Sequence, residues 1–134
     1  MSERAHILIV DDDPDLRETL QDVLEELGYE VTSAKDGLDA LRQLLSDAHR
    51  PNLILLDLQM PNMDGVAFRN EQLKRDELAD IPVAVLSGDS DAQSKAAALH
   101  TAACLQKPLR LLQLLTTIPR VLVPALPVPE EDPR

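Results

Sequence analysis

The sequence predicts an α/β domain, an open five-stranded parallel sheet with helices on both faces. Three observations carry that prediction. Apolar runs alternate with segments of helical period five times, roughly every 25 residues, the spacing of repeated strand–helix units. The run at 53–56 is apolar without alternation, as suits a strand covered on both faces. Finally, the runs HILIV, NLILL, PVAVL and ACLQ stop on polar groups, namely Asp11 and Asp12, Asp57, Ser87 and Lys107. The carboxyl ends of parallel strands open onto one crevice, so these side chains are expected to converge there.

Residues 6–10 read as the first strand. Asp13 suits the N-cap and Pro14 the first position of the helix that follows. Leu16, Leu20, Val23, Leu24 and Leu27 recur at helical spacing, and Gly28 supplies the stop. Residues 29–34 alternate as a second strand, and 37–45 form a second helix with Leu38, Leu41, Leu44 and Leu45 inward. After the central strand, a loop at 58–64 holds Pro61 and closes at Gly65. Residues 66–74 make a third helix and 82–86 a fourth strand. A fourth helix at 91–99 is weak in bulky core residues; a short strand at 103–106 and a strongly apolar helix at 109–118 complete the pattern. Right-handed crossovers then favour the strand order 2-1-3-4-5, the flavodoxin-like (βα)5 three-layer sandwich.

One domain over 1–118 is expected. Five of the ten prolines fall in the last 16 residues, which end EEDPR. Residues 119–134 are therefore expected to form a Pro-rich acidic tail, or a cut linker, unable to sustain a helix. Residues 121–123 are left to extend the last helix or to pack on a neighbour.

Composition narrows the function. A net charge of −11 argues against direct nucleic-acid binding, which relies on basic surface. Tyr29 and Phe68 are the only aromatics, so bases or a flavin ring would find no stacking platform. No apolar stretch approaches the roughly 20 residues of a membrane span, and MSERAH lacks the character of a signal peptide. The single Cys104 cannot form an internal disulfide, so the cytoplasm is the expected compartment. His6, His49 and His100 show no ligand spacing and are read as structural or exposed.

Three carboxylates, a hydroxyl and an ammonium at one sheet edge describe a site for a divalent cation and a phosphoryl group. Mg²⁺, or Mn²⁺, takes hard oxygen ligands and keeps positions open for phosphate oxygens, and Asp11, Asp12 and Asp57 can supply that share. Asp57 ends the central strand and is the best candidate nucleophile, since carboxylates form aspartyl-phosphate intermediates. Lys107 would oppose the cation and Ser87 would donate to a phosphoryl oxygen, because phosphoryl transfer depends on positioning and charge neutralisation. Taken singly, each is ordinary: Asp57 a turn residue, Ser87-Gly88 a turn pair, Lys107 a solvated charge. Their shared place at the ends of different strands is what gives them weight.

The chain also resembles the receiver domain of two-component response regulators. The resemblance rests on ILIVDDDPDLRETL, LILLDLQMPNMDGV, IPVAVLSG and LQKPL, and covers residues 6 to 118. It implies that Asp57 is the phosphoacceptor and that Asp11, Asp12, Asp57 and the Gln59 carbonyl hold the metal. Ser87 and Lys107 would bind the phosphoryl group, and Gln59 and Asp89 would tune its lifetime. The Lys107–Pro108 bond is commonly cis in that family. The donor would be the phosphohistidine of a sensor histidine kinase or phosphotransfer protein. The chain would then be a phosphoacceptor rather than an enzyme, assisting its own phosphorylation and dephosphorylation.

Departures concern the output. Cys104 stands where the family carries the aromatic that relays activation, His100-Thr101 replaces a Gly-Ala pair, and Leu109 replaces a common Phe. The readout is expected on the face of the fourth helix, fifth strand and fifth helix, through a protein partner or a homodimer. Leu109, Leu111, Leu112, Leu114, Leu115 and Ile118 exceed one buried stripe. Taken at face value, the sequence reads as a stand-alone receiver. Three rivals explain less: a phosphatase leaves Met60-Pro61 and Asp64-Gly65 unused, a flavin carrier lacks stacking aromatics, and a docking scaffold has no need of a complete acceptor site.

Overall fold

The structure, a computed structural model, describes residues 4–46 and 50–122; His49 and the tail beyond Leu122 lie outside them. The elements run β1 (His6–Val10), α1 (Pro14–Glu26), β2 (Glu30–Ala34), α2 (Gly37–Ser46), β3 (Leu53–Asp57), α3 (Gly65–Leu73), α4 (Asp76–Ala79), β4 (Val83–Ser87), α5 (Ala92–Ala98), β5 (Ala103–Gln106) and α6 (Leu111–Val121). All pairings are parallel, in the order β2-β1-β3-β4-β5. The predicted architecture and strand order are those observed.

Alternation along the strands sorts the core into two layers. Leu8, Val10, Ile54, Leu56, Val83 and Val85 face one side, packing with Ala40 and Leu41 of α2, Phe68 of α3 and Ala96 of α5. Ile7, Ile9, Leu53, Leu55, Ala84, Leu86 and Leu105 face the other, against Leu20 and Leu24 of α1 and Leu114 and Ile118 of α6. β1, β3 and β4 are buried along their whole length, which fixes their ends in space and with them the polar residues that follow.

Local signals act as expected at α1: the Asp13 carboxylate accepts from the amides of Asp15 and Leu16, and Pro14 opens the helix. Gly28 adopts φ +99°, the left-handed region that glycine enters freely. Three features depart from expectation. Leu38 and Leu45, expected inward, are exposed, because α2 turns Ala40 and Leu41 to the core with Leu44 packed beside them. The one-turn helix α4 is too short to show a period in sequence. Pro119 lies inside α6, which runs to Val121, so the helix outlasts the limit expected at 118. Its missing amide removes one bond in the last turn only, while Ile118 is buried and Val121 and Leu122 pack on the same core layer. His6 is structural: it is buried, and its Nε2 meets Thr32 Oγ1 at 2.9 Å. His100 is exposed, at φ +57°.

Gly65 matters most for the site. A Cβ there would strike the Asp57 carbonyl oxygen and come within 2.7 Å of Leu58 Cα. Only glycine lets the start of α3 lie against the backbone that carries Asp57. Gly65→Ala is expected to cost about 1–3 kcal/mol through backbone displacement, measured by urea unfolding; an unchanged midpoint would show that this backbone yields freely.

Candidate functional site

Asp57, the last residue of β3, and Asp11, one residue past β1, are both buried, with Asp11 wholly inaccessible. Asp12 is exposed beside them. One carboxylate oxygen from each of the three lies within 4.8 Å of the others, a donor set that could hold a metal ion. Lys107, past the end of β5, places Nζ 2.9 Å from Asp11 Oδ2 and 3.5 Å from Asp57 Oδ2. Three carboxylates against one ammonium leave two negative charges uncompensated. Hard oxygen donors with that imbalance suit a divalent cation such as Mg²⁺.

The backbone holds these groups in place. Asp11 Oδ1 accepts from the Asp13 amide at 2.9 Å, which ties the buried carboxylate to the start of α1. Arg17 Nη1 donates to the Asp11 carbonyl at 2.7 Å. Asp57 Oδ1 accepts from the Gln59 amide at 3.2 Å. Lys107 is aligned by its own amide, which donates to the Ser87 carbonyl at 2.8 Å, and the Lys107–Pro108 bond is cis.

Burial pushes the Asp57 carboxyl up to about 6; the Gln59 amide and Lys107 pull it down, while Asp11 and Asp12 push it further up. Burial pulls the Lys107 ammonium down, but its bond to Asp11 and the charges of Asp11 and Asp57 outweigh this and raise it. The pair thus favours a charged lysine facing a carboxylate cluster that gains from added positive charge.

Ser87, the last residue of β4, is buried, and its Oγ accepts from the Asp89 amide at 3.0 Å. Asp89 in turn holds Lys95 of α5, Nζ to Oδ2 2.7 Å, and accepts from the Asp91 amide at 2.9 Å. Gln59 is exposed at the rim. Cys104 is half-buried, packs against the core layer of Leu8 and Val85, and has its thiol raised by burial. Of the strand-end residues, Asp11, Asp12, Asp57 and Lys107 therefore meet through their side chains, Ser87 joins them through its carbonyl on the Lys107 amide, and Cys104 packs against the core layer.

Sequence reasoning missed four participants. Arg17 and Lys95 carried no signal in the sequence that set them apart from other charged residues. Asp36 and Asn62 form a strut: Asp36, buried before α2, accepts from the Asp39 amide at 2.8 Å and from Asn62 Nδ2 at 2.7 Å. Asn62 lies in the loop after Asp57 at φ +68°, a region Asn tolerates better than most residues. The DG pair and the Met60-Pro61 turn marked the loop, but nothing marked its partner 26 positions away.

The Asp39 amide, followed by the Asn62 amide, holds the Asp36 carboxyl below its ordinary 3.8. A carboxyl lowered on folding adds stability that is complete above the unfolded value and is lost as pH falls through the folded one. Asp36→Asn is expected to lose about 1 kcal/mol at neutral pH, with the gap to wild type narrowing below pH 3.8. Urea melts across acid pH check this; a gap independent of pH would refute it.

The chain is similar to known proteins over most of its described length. The family described as the response regulator receiver domain matches residues 7–119. The transcriptional regulatory protein PrrA of Mycobacterium bovis is 37% identical over 118 residues, 87% of this chain and 49% of PrrA. The sensor histidine kinase RcsC of Salmonella typhi is 39% identical over 114 residues, 84% of this chain and 12% of the kinase. The chain thus spans about half, or less, of these curated relatives. Among solved structures, chemotaxis protein CheY4 of Vibrio cholerae aligns with TM-score 0.80 and 30% identity over 89% of this chain and 99% of that one. Response regulator TrrA of Thermotoga maritima, in complex with Mg²⁺-BeF, aligns with TM-score 0.77 and 29% identity over 88% of this chain and 99% of that one. The chain belongs to the response regulator receiver domains, the phosphoryl-accepting modules of two-component signalling.

Proposed function

We propose that Asp57 is the phosphoacceptor and takes its phosphoryl group from the phosphohistidine of a sensor histidine kinase or phosphotransfer protein. The observation that carries this is the meeting of Asp57 with Asp11, Asp12 and Lys107 at one sheet edge. An Asp57 carboxylate oxygen bonds to phosphorus as the phosphorus–nitrogen bond of the donor breaks, and the imidazole leaves with the electron pair. Asp11, Asp12, Asp57 and the Gln59 carbonyl hold Mg²⁺ or Mn²⁺. When bound, that cation neutralises charge and offers positions to phosphoryl oxygens. Lys107 keeps the opposite side of the group cationic, and Ser87 donates its hydroxyl to a phosphoryl oxygen.

The same carboxylate is released by hydrolysis, with Gln59 and Asp89 at the rim tuning the rate. A phosphoryl group adds about −1.5 to −2 charges. Couplings of about 1–3 kcal/mol would shift a two-state equilibrium roughly 5–150-fold. The receiver is in this reading a phosphoacceptor rather than an enzyme, and it works in the cytoplasm. Among the described residues no helix is long and apolar enough to cross a membrane.

Output goes to a downstream protein partner or a second copy through the α5–β5–α6 face. Supporting this, Leu111 and Leu112 of α6 are exposed at 57% and 74%, beside a groove of about 690 Å³ bordered by Lys107, Pro108, Arg110 and Thr116. The receiver unit extends through α6, with the tail following it.

Intact mass after incubation with Mg²⁺ and acetyl phosphate tests the acceptor. One added phosphoryl group is expected on the wild type and none on Asp57→Asn or without divalent cation. Equal phosphorylation of Asp57→Asn would overturn the assignment. Decay of the modified species tests the rim: Gln59→Ala is expected to change the hydrolysis rate severalfold, and equal rates would remove Gln59 from the mechanism. Separately, Mg²⁺ at about 100 times its dissociation constant should add about 2.7 kcal/mol of stability. Asp12→Asn is expected to lose most of that gain in a thermal melt; an undiminished gain would exclude Asp12 as a ligand.

A further inference from the structure

We propose that Ser87, Asp89 and Lys95 form a polar relay from the Asp57 site to α5, with Asp89 and Lys95 as positioning residues. The inference rests on the reading of Asp57 as phosphoacceptor and adds a route of output to it.

From Ser87 onward the chain of contacts is continuous. Ser87 Oγ, buried at the end of β4, accepts the Asp89 amide at 3.0 Å. One oxygen of Asp89 accepts the Asp91 amide at 2.9 Å, and the other holds Lys95 Nζ at 2.7 Å. Lys95 is in the middle of α5. Donation reached by a change of Ser87 χ1 moves Oγ itself. The Asp89 amide then follows or loses its partner. Either response moves the carboxylate that grips α5.

The helix is built to answer such a pull. Its buried residues are two alanines, Ala92 and Ala96, so its own packing resists a small displacement weakly. Its C-terminal end is fastened independently. Arg69 of α3, buried, donates from Nε to the Leu99 carbonyl at 3.1 Å and from Nη2 to the His100 carbonyl at 2.8 Å. Nη1 of the same guanidinium meets Gln72 Oε1 at 2.8 Å. α5 therefore has one end clamped by a buried arginine and is held further along by a half-exposed ion pair. Movement of Asp89 would swing the helix about its clamped end.

Asp89 foremost, and after it Asp91 and Asp64, favour the charged form of Lys95. Cys104, opposite Val85 in register, is small and half-buried against the core, so this polar route bypasses it.

Hydrogen exchange of the full chain, with and without Mg²⁺ and beryllofluoride, tests the relay. In the wild type both the 87–91 loop and the α5 amides are expected to change. The α5 change should be roughly 1.5- to 5-fold, the equilibrium equivalent of an exposed ion pair. In Lys95→Met the loop response should remain and the α5 response vanish, and Lys95→Arg should restore it. An α5 response in Lys95→Met equal to the wild type would overturn the relay. So would a wild-type response confined to the loop. No response anywhere in the wild type would instead overturn the Asp57 reading, and the relay with it.

Discussion

Two carboxylates, Asp11 and Asp57, are buried side by side at the end of an apolar sheet, and Lys107 faces them both. Removing like charges from water is costly unless they are paired and hydrogen-bonded. Here the compensation comes from three places. Lys107 lies within 3.5 Å of both carboxylates, the Asp13 amide meets Asp11, and the Gln59 amide meets Asp57. Because the compensation is incomplete, Asp57 is left raised to about 6. A site that is short of positive charge in this way is one that added cation stabilises.

That constraint reaches outward into the fold. Lys107 can face the carboxylates only if β5 ends level with β4, and the bond from its amide to the Ser87 carbonyl sets that level. Asp57 keeps its place only while α3 begins hard against its carbonyl, which Gly65 alone permits. The loop between them is braced from the far side of the site by Asp36 through Asn62. The apolar strands supply a rigid edge, and a few polar bonds at that edge aim the side chains.

The fold and the strand-end residues were legible because both follow from periodicity. Burial on both faces makes β1, β3 and β4 continuous apolar runs, and the first polar residue after each run is at the crevice. What was not legible depends on contacts between residues distant in sequence. Arg69 and Gln72 of α3 are polar, yet both are buried. Gln72 holds the Leu78 and Ile81 carbonyls at 2.8 and 3.0 Å, and Arg69 closes the end of α5. Pro119 read as a helix breaker, but packing on the core outweighs one lost bond in a last turn.

The same contrast explains how α3 and α5 can behave differently in one receiver. α3 buries Phe68, Arg69 and Gln72, and its polar groups are spent on backbone carbonyls of the segments at 78–81 and 99–100. Leaving any of those buried partners unsatisfied costs more than breaking a solvent-screened pair. α5 buries only alanines and is held towards the site by Lys95, whose side chain is 42% exposed. On the proposed reading, a charge placed on Asp57 would therefore meet a stiff wall on the α3 side and a compliant one at α5. The direction of any response is set less by where the phosphoryl group sits than by which neighbouring contacts are buried and which are wet.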